Sequence, residues 1–290
     1  MDALTQKVFH EGERAFQQRL HLEDKMADIG SKFIRPFLLE QHRDFFEQLP
    51  FVFVGHLDDK GHPQTSCLDG PVGFISSTND TYVSIQTETL KKPAFSQLKA
   101  GQKIALLGIE LHTRRRNRLN GLIETIKDDR LNIAIEQSFG NCPKYIAPRH
   151  LNITEGEGQR LSYTELTPEM EQIIRQADVF FISSRSAKFN SDTNTGVDVS
   201  HRGGETGFVK IKQPNVLSFL DLPGNRFFNT LGNIQSDPRV GLLFFDFDKK
   251  RTLQISGLAE TKWTGELRNT YITVQEAILD NTQQVESVSS

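Results

Sequence analysis

The residues best placed to do chemistry lie between Gly196 and Gly257. At their centre is a turn, Asp221-Leu222-Pro223-Gly224-Asn225-Arg226, set between two strand-like runs. Proline and glycine punctuate it, asparagine tolerates unusual backbone angles, and Arg226 brings a permanent cation. A helical stretch begins near Phe227 and stops before Pro238. Backbone N–H groups, a helix start and a guanidinium delivered to one point make an anion cradle. The alternative, which the local residues alone favour, is an ordinary strand–turn–helix connection with a solvated arginine. Arg202 lies on a strand of the same region. With Ser200, Asn225, Asn229 and Thr230, the two arginines would form a phosphate site, with guanidinium charge, hydroxyl and amide hydrogen bonds, and a helix N-terminus for geometry. The competing reading leaves both arginines on the surface.

Other chemistries find little support. The chain has no nucleophile elbow, phosphate-binding P-loop or dinucleotide-binding glycine motif, and its eight histidines show no paired metal-ligand spacing. His10-Glu11-Gly12-Glu13 lacks the second histidine of a zinc-binding helix and reads as an acidic helix start. The dense basic cluster Arg114-Arg115-Arg116-Asn117-Arg118 sits between paired strands and reads first as a solvated hairpin, with a place at the border of a ligand pocket as the lesser alternative. Cys67 and Cys142 are too few for a disulfide framework or an iron–sulfur cluster, so a reducing compartment is expected. A formal net charge of −3 gives no global pull toward nucleic acid or an anionic membrane. No stretch approaches the roughly 20 apolar residues that span a bilayer, and the charged N-terminal stretch has no secretory pattern. A cytoplasmic protein with neither nucleic-acid nor membrane partner is expected.

The elements that would position these residues are mostly strands. Apolar spacing predicts helices over Val8–Arg19 and Leu38–Glu47, the second ended by Pro50. Strand-like runs follow at 51–57, 64–68, 73–75, 81–86, 103–111, 118–127 and 131–137, with a short helix between Pro93 and Lys99. Residues 151–168 are polar and read as a linker, 168–176 as a short helix, and Val179–Ser183 as the opening of a second β region. Nothing alternates strand and helix as a parallel sheet would.

The two β regions repeat each other. Leu106–Gly121 and Leu242–Gly257 align without a gap, and Ser66…Gly70…Gly73-Phe74 lines up with Ser200…Gly204…Gly207-Phe208. Ser84 likewise matches Ser218. The chain reads as two copies of one small β-barrel facing each other. The copies differ where chemistry would sit. Opposite Ser200-His201-Arg202-Gly203 the first copy has Ser66-Cys67-Leu68-Asp69, and it lacks the Pro-Gly turn and its cation.

The segments DVSHRGGETGF, DLPGNRFFNTLGNI and DPRVGLLFFDF…LQISG resemble the pyridoxamine 5′-phosphate oxidase-like, FMN-binding split-barrel proteins. LPFVFVGHLDDKGHPQTSCLDGPVGF, TRRRNRLNG and FGNCPKYIAPR look like the first half of a duplicated, single-chain branch of that group. The resemblance implies a mainly β fold with flanking helices, two tandem FMN-binding split β-barrels forming a pseudo-dimer. It places an N-terminal helical segment at 1–50, the first repeat at 51–150, linker and helix at 151–176, the second repeat at 177–265 and a tail at 266–290, disordered at its end. It implies FMN as cofactor, its phosphate held by Arg202 and Arg226 with Ser200, Asn225, Asn229 and Thr230. Phe219, Phe245 or Gln254 would supply ring contacts, and Lys144 and Arg149 would reach the flavin or an anionic substrate from the first half. A buried Cys142 at a helix start is the alternative for that last segment. The implied activity is flavin-mediated redox of a small molecule, with reduced nicotinamide as a candidate partner. The alternative is a non-catalytic holder of flavin, haem or another planar cofactor. No catalytic side chain or metal is implied, the oxidase's own substrate residues have no clear counterpart, and a further homodimer stays open.

Overall fold

The first structured element forms because a polar start meets an apolar stripe. Helix α1 (Glu11–Arg19) is closed by a reciprocal cap: the His10 imidazole accepts from Gly12 N–H, and the Glu13 carboxylate accepts from His10 N–H. The histidine-acid cluster is therefore structural. Helices α2 (Glu23–Phe33) and α3 (Glu40–Glu47) complete the N-terminal segment. The computed structural model describes residues 8–188 and 192–288. The first seven residues of the charged N-terminal stretch, and residues 289–290, where disorder is expected, lie outside the described residues.

Seven strands follow: β1 (Phe51–Leu57), β2 (Pro63–Asp69), β3 (Ile75–Asn79), β4 (Tyr82–Gln86), β5 (Lys103–Glu110), β6 (Arg115–Lys127) and β7 (Arg130–Gly140). They form one antiparallel sheet in the order β2-β1-β5-β6-β7-β4-β3. The expected helix between Pro93 and Lys99 is reduced to a 3₁₀ turn at Pro93–Phe95. Beyond it come β8 (His150–Glu155), β9 (Arg160–Tyr163) and α4 (Pro168–Gln176), the helix started by Thr167 accepting from Met170 N–H with proline at the first turn. The second sheet contains β10 (Val179–Arg185), β11 (Val197–Gly203), β12 (Lys210–Gln213), β13 (Val216–Leu220), β14 (Arg239–Asp246), β15 (Arg251–Thr264) and β16 (Leu267–Asp280). Helix α5 (Asn229–Ser236) lies between β13 and β14.

The second sheet runs β11-β10-β14-β15-β16-β13-β12, strand for strand the order of the first. Register repeats as well. Phe53 faces Cys67 on β2 and Leu107 on β5, while Phe181 faces His201 on β11 and Leu243 on β14. Both long hairpins bulge at the same place, between Asn120 and Gly121 and between Ser256 and Gly257. Each sheet curls around a core to which nearly all its strands contribute, Val52, Leu68, Ile85, Leu106, Leu119 and Ile133 among them in the first and Phe180, Leu217, Leu242, Leu253 and Ile272 in the second. The chain is two split barrels in tandem.

Strand alternation joins them. Val52 and Val54 face their own core, so Phe51 and Phe53 face the other barrel, where they meet Phe181, Val199, Leu243 and Phe245. Phe53 and Phe181 occupy equal positions in their sheets and stack with ring centroids 3.4 Å apart. The pseudo-twofold axis passes between them.

Two expectations fail. The stretch read as a linker contains β8 and β9, and the stretch read as a tail contains β16 and β17 (Gln283–Val288). β8 pairs with β17 and β9 with β16. β8, β9 and β17 satisfy their backbones with partners more than a hundred residues away, so no local signal marks them, whereas β16 pairs along its length with its hairpin neighbour β15. The second barrel therefore extends to Asp280, and residue 265 sits inside its longest hairpin.

Candidate functional site

A cavity of about 470 Å³ opens between the barrels. The first barrel contributes Leu107, Arg116 and Arg118 from β5 and β6, followed by the segment 141–145. The second contributes Ser200–Gly203 from β11, Phe219 and Leu220 from β13, the turn 221–226 and the start of α5. The β15–β16 turn, through Arg268, and Leu20 beyond α1 complete the wall.

At its inner end stands Arg118, only 4% exposed. Its guanidinium pairs with Asp198 at 2.9 Å and donates to Ser200 Oγ at 2.6 Å, to the Val199 carbonyl at 2.9 Å and to Asn229 Oδ1 at 3.0 Å. Thr230 Oγ1 donates to Ser200 Oγ at 3.0 Å. Arg116 reaches the carbonyl of Cys142, and Arg202 faces Asp221 at 3.5 Å. The Nε atoms of Arg116, Arg118 and Arg202 are all buried without a hydrogen-bond partner. Each is a donor with its water removed and nothing in return.

The electrostatics point the same way. Burial, with Arg118 and Arg202 alongside, pushes the Arg116 guanidinium down to about 10. Arg118 is lowered by burial and by Arg202, with Asp198 opposing. His201, buried against the same group, is held well below the usual imidazole range by burial, then by Arg116, Arg202 and Arg149, so it is neutral. Arg116 and Arg118 are thus each disfavoured by neighbouring guanidinium groups, a positive field that an anion would relieve.

Helix α5 supplies the remaining donors. Its first residue follows Phe228, which takes a left-handed conformation at φ 64°, and no side chain caps its end. Asn229, Thr230 and Leu231 line the cavity with Arg116, Arg118 and Arg202, so the uncapped helix start forms part of its wall. Tyr145 and Arg226 also have positive φ, 65° and 62°, and both border the mouth, where the Tyr145 hydroxyl donates to the Pro223 carbonyl at 3.1 Å. Backbone strain of this kind persists where surrounding structure over-determines it.

Seven of the eight residues that sequence assigns to the phosphate or to an anionic partner line this one cavity: Lys144, Ser200, Arg202, Asn225, Arg226, Asn229 and Thr230. Lys144, Asn225 and Arg226 are exposed at its mouth. Arg149 does not line it. Its guanidinium pairs with Asp178 and lies 5.4 Å from the Phe247 ring centre, so its charge is spent at the barrel junction. Phe219 is in the wall as expected for a ring contact, but Phe245 is packed between the barrels against Phe53 and Phe181.

The basic cluster divides along its strand. Arg114 and Arg115 are exposed, whereas Arg116 and Arg118 project into the cavity. The repeat held the signal: Leu119 and Ile123 face the core, so residues at even numbers on that stretch face the other barrel.

The pseudo-twofold axis generates a second location, and there the repeat is closed. Gln254 stands where Arg118 stands in the first barrel, and Thr252 where Arg116 stands. The space is about 20 Å³. Gln254 donates to the Thr65 carbonyl at 3.0 Å and Ser66 Oγ at 3.2 Å, and Gln283 donates to the Cys67 carbonyl at 3.1 Å and Asp69 at 2.5 Å. Gln254, a candidate ring contact from sequence, thus belongs to the closed location. Among the described residues no group of three or more His, Cys, Asp or Glu could hold a metal ion. No helix among them is long and apolar enough to cross a membrane.

Residues 38–163 match the sequence family described as Pyridoxamine 5′-phosphate oxidase. No curated protein sequence matches the chain. Among solved structures, similarity is found to HupZ of Group A Streptococcus (12% identity, covering 41% of this chain and 98% of that one, TM-score 0.32). A pyridoxamine 5′-phosphate oxidase-like protein of Lactobacillus delbrueckii (12% identity, 43% and 98%, TM-score 0.31) is similar too. So is General Stress Protein 26 of Bacillus anthracis (13% identity, 41% and 95%, TM-score 0.27).

Proposed function

We propose, from the premise that residues 38–163 belong to the flavin-binding pyridoxamine 5′-phosphate oxidase-like family, that this chain is an FMN-dependent oxidoreductase of a small molecule. The observation that carries the reading is the trio Arg116, Arg118 and Arg202, each with a buried, unpartnered Nε, gathered at the uncapped start of α5. A phosphate monoester is an anion whose oxygens can accept from these donors. The volume of about 470 Å³ lies in the range of cofactor pockets.

In this proposal the three arginines, Ser200, Thr230 and the first N–H groups of α5 hold the phosphate. Leu107, Phe208, Phe219 and Leu220 give the ring its apolar wall. Lys144 and Arg226, exposed at the mouth, attract and orient an anionic second ligand, for which reduced nicotinamide is one candidate. FMN, when bound, supplies the hydride and electron transfer. Neutral His201 offers a hydrogen bond without adding to the positive charge. A reducing, cytoplasmic setting fits Cys67 and Cys142, which are both free thiols.

Titration of the purified protein with FMN, followed by quenching of flavin fluorescence, tests the reading. Saturable binding is expected, and Arg202→Ala should weaken it about tenfold, the scale of one charged hydrogen bond, while Arg226→Ala at the mouth changes it little. A colourless protein that refuses added FMN would sink the proposal. Bleaching by NAD(P)H and return of colour in air would support the oxidoreductase half; bound flavin that no reductant reaches would leave a flavin holder instead.

A further inference from the structure

Helix α1 belongs to neither sheet, yet it grips the loop that leads into the cavity. Phe16 stacks on Phe228 with ring centroids 5.6 Å apart, and Gln17 Nε2 donates to the Phe227 carbonyl at 3.3 Å. Gly12 and Gly232 let the backbones of α1 and α5 touch: a Cβ built on Gly12 would lie 2.1 Å from the Gly232 carbonyl oxygen. This close approach inserts Glu13, 4% exposed, beside α5.

Glu13 divides its two oxygens. Oε2 accepts from His10 N–H at 2.9 Å, and Oε1 accepts from Asn229 Nδ2 at 2.5 Å. The second bond fixes which way the Asn229 amide points. With its NH₂ committed to Glu13, its carbonyl oxygen faces Arg118, which donates to it at 3.0 Å. A reversed amide would set donor against donor. The chain Glu13–Asn229–Arg118 therefore runs from an N-terminal helix to the inner end of the cavity. The titratable groups facing Glu13 are His10 at the cap of its own helix, and Asp198 and Arg118 across the site.

We propose that Glu13 is a positioning residue of the anion subsite, setting the Asn229 amide and through it the guanidinium of Arg118. The identity of the anion as the FMN phosphate rests on the function proposed above. The positioning itself rests on the hydrogen-bond chain.

Glu13→Gln is nearly isosteric and keeps the packing, but it replaces one acceptor oxygen with a donor. One of the two bonds, to His10 or to Asn229, must be lost or reversed. Dissociation constants for FMN and for riboflavin, which lacks the phosphate, should be measured on wild type, Glu13→Gln, Glu13→Leu and Gln17→Leu. Gln17→Leu removes a different tie between α1 and the loop. Glu13→Gln should weaken FMN about tenfold, the scale of one charged hydrogen bond, and leave riboflavin within about twofold. Gln17→Leu should leave the ratio of FMN to riboflavin affinity unchanged.

Equal weakening of both flavins by Glu13→Gln, FMN affinity unchanged both in Glu13→Gln and in Glu13→Leu, which has no acceptor for either donor, or the same change of ratio in Gln17→Leu would each overturn the proposal. If wild type binds no flavin, the FMN reading fails, and the comparison is made with inorganic phosphate by thermal shift. A phosphate-dependent rise in melting temperature that Glu13→Gln loses would support the positioning role. A rise that it keeps, or none in wild type, would end it.

Discussion

Arg118 has given up nearly all its water for Asp198, Ser200 and Asn229. A buried ion pair of this kind returns little net stability, because desolvation offsets most of the attraction. Its value lies in holding a guanidinium at a fixed point. That placement was hard to read from sequence. Arginine is usually exposed, and five basic or amide residues in a row at a hairpin look solvated. The exposed cation of the turn was easier, since Pro223-Gly224 marks a turn by residue type, although the left-handed angles fall on Arg226 and Phe228 rather than on Gly224 or Asn225. Arg149 misled because its acidic partner, Asp178, lies across the polar strands that looked like a linker. Away from the cavity, His56 makes a prediction of its own. It is 4% exposed against Ser66 Oγ at 3.1 Å, and burial pushes its imidazole from 6.5 down to about 4. The unfolded chain takes up that proton near its ordinary value, so unfolding binds protons between the two, and stability falls as pH drops through this window. The loss attributable to His56 should reach about 2 kcal/mol by about pH 5. Urea melts of wild type and His56→Gln from neutral pH downward read this directly, and equal acid sensitivity in the two would rule it out.

Helix α1 shows how an element can matter more than its length suggests. Its docking depends on two glycines, because the atoms facing a Cβ at Gly12 are the backbone of Gly232, which cannot rotate away. Gly12→Ala should cost about 1–3 kcal/mol, the scale of an overpacked contact, read as a lower urea midpoint with an unchanged slope. An unchanged midpoint would mean that the helices do not touch as described. The sequence showed α1 through its apolar spacing and acidic start, but not what it docks on. The strands of both barrel cores were legible for a similar reason: alternation and turn residues are local signals. β16 alternates too and pairs with its neighbour β15, so its signal is local, whereas β8, β9 and β17 join residues 150–163 to residues 277–288. A polar strand with a distant partner looks like a loop.

The whole molecule is a near-symmetric frame holding an asymmetric pair of locations. Strand order, register and bulge repeat between the barrels, while the two related cavities measure about 470 Å³ and about 20 Å³. Calorimetric titration should therefore give one FMN per chain, and a stoichiometry of two would contradict the closed second location. The repeat could be read from aligned residues, and so could its uneven equipment. That Gln254 and Gln283 stitch the second location shut could not, since their partners come from the opposite barrel. The stacked pair Phe53 and Phe181 marks a further consequence. In an assembly of two identical chains, every codon is read on both sides of such an axis, and a substitution that closes one location closes its twin. On a single chain the two sides have separate codons. Thr252 and Gln254 can serve as core while Arg116 and Arg118 serve a ligand, and each set is free to change without consulting the other.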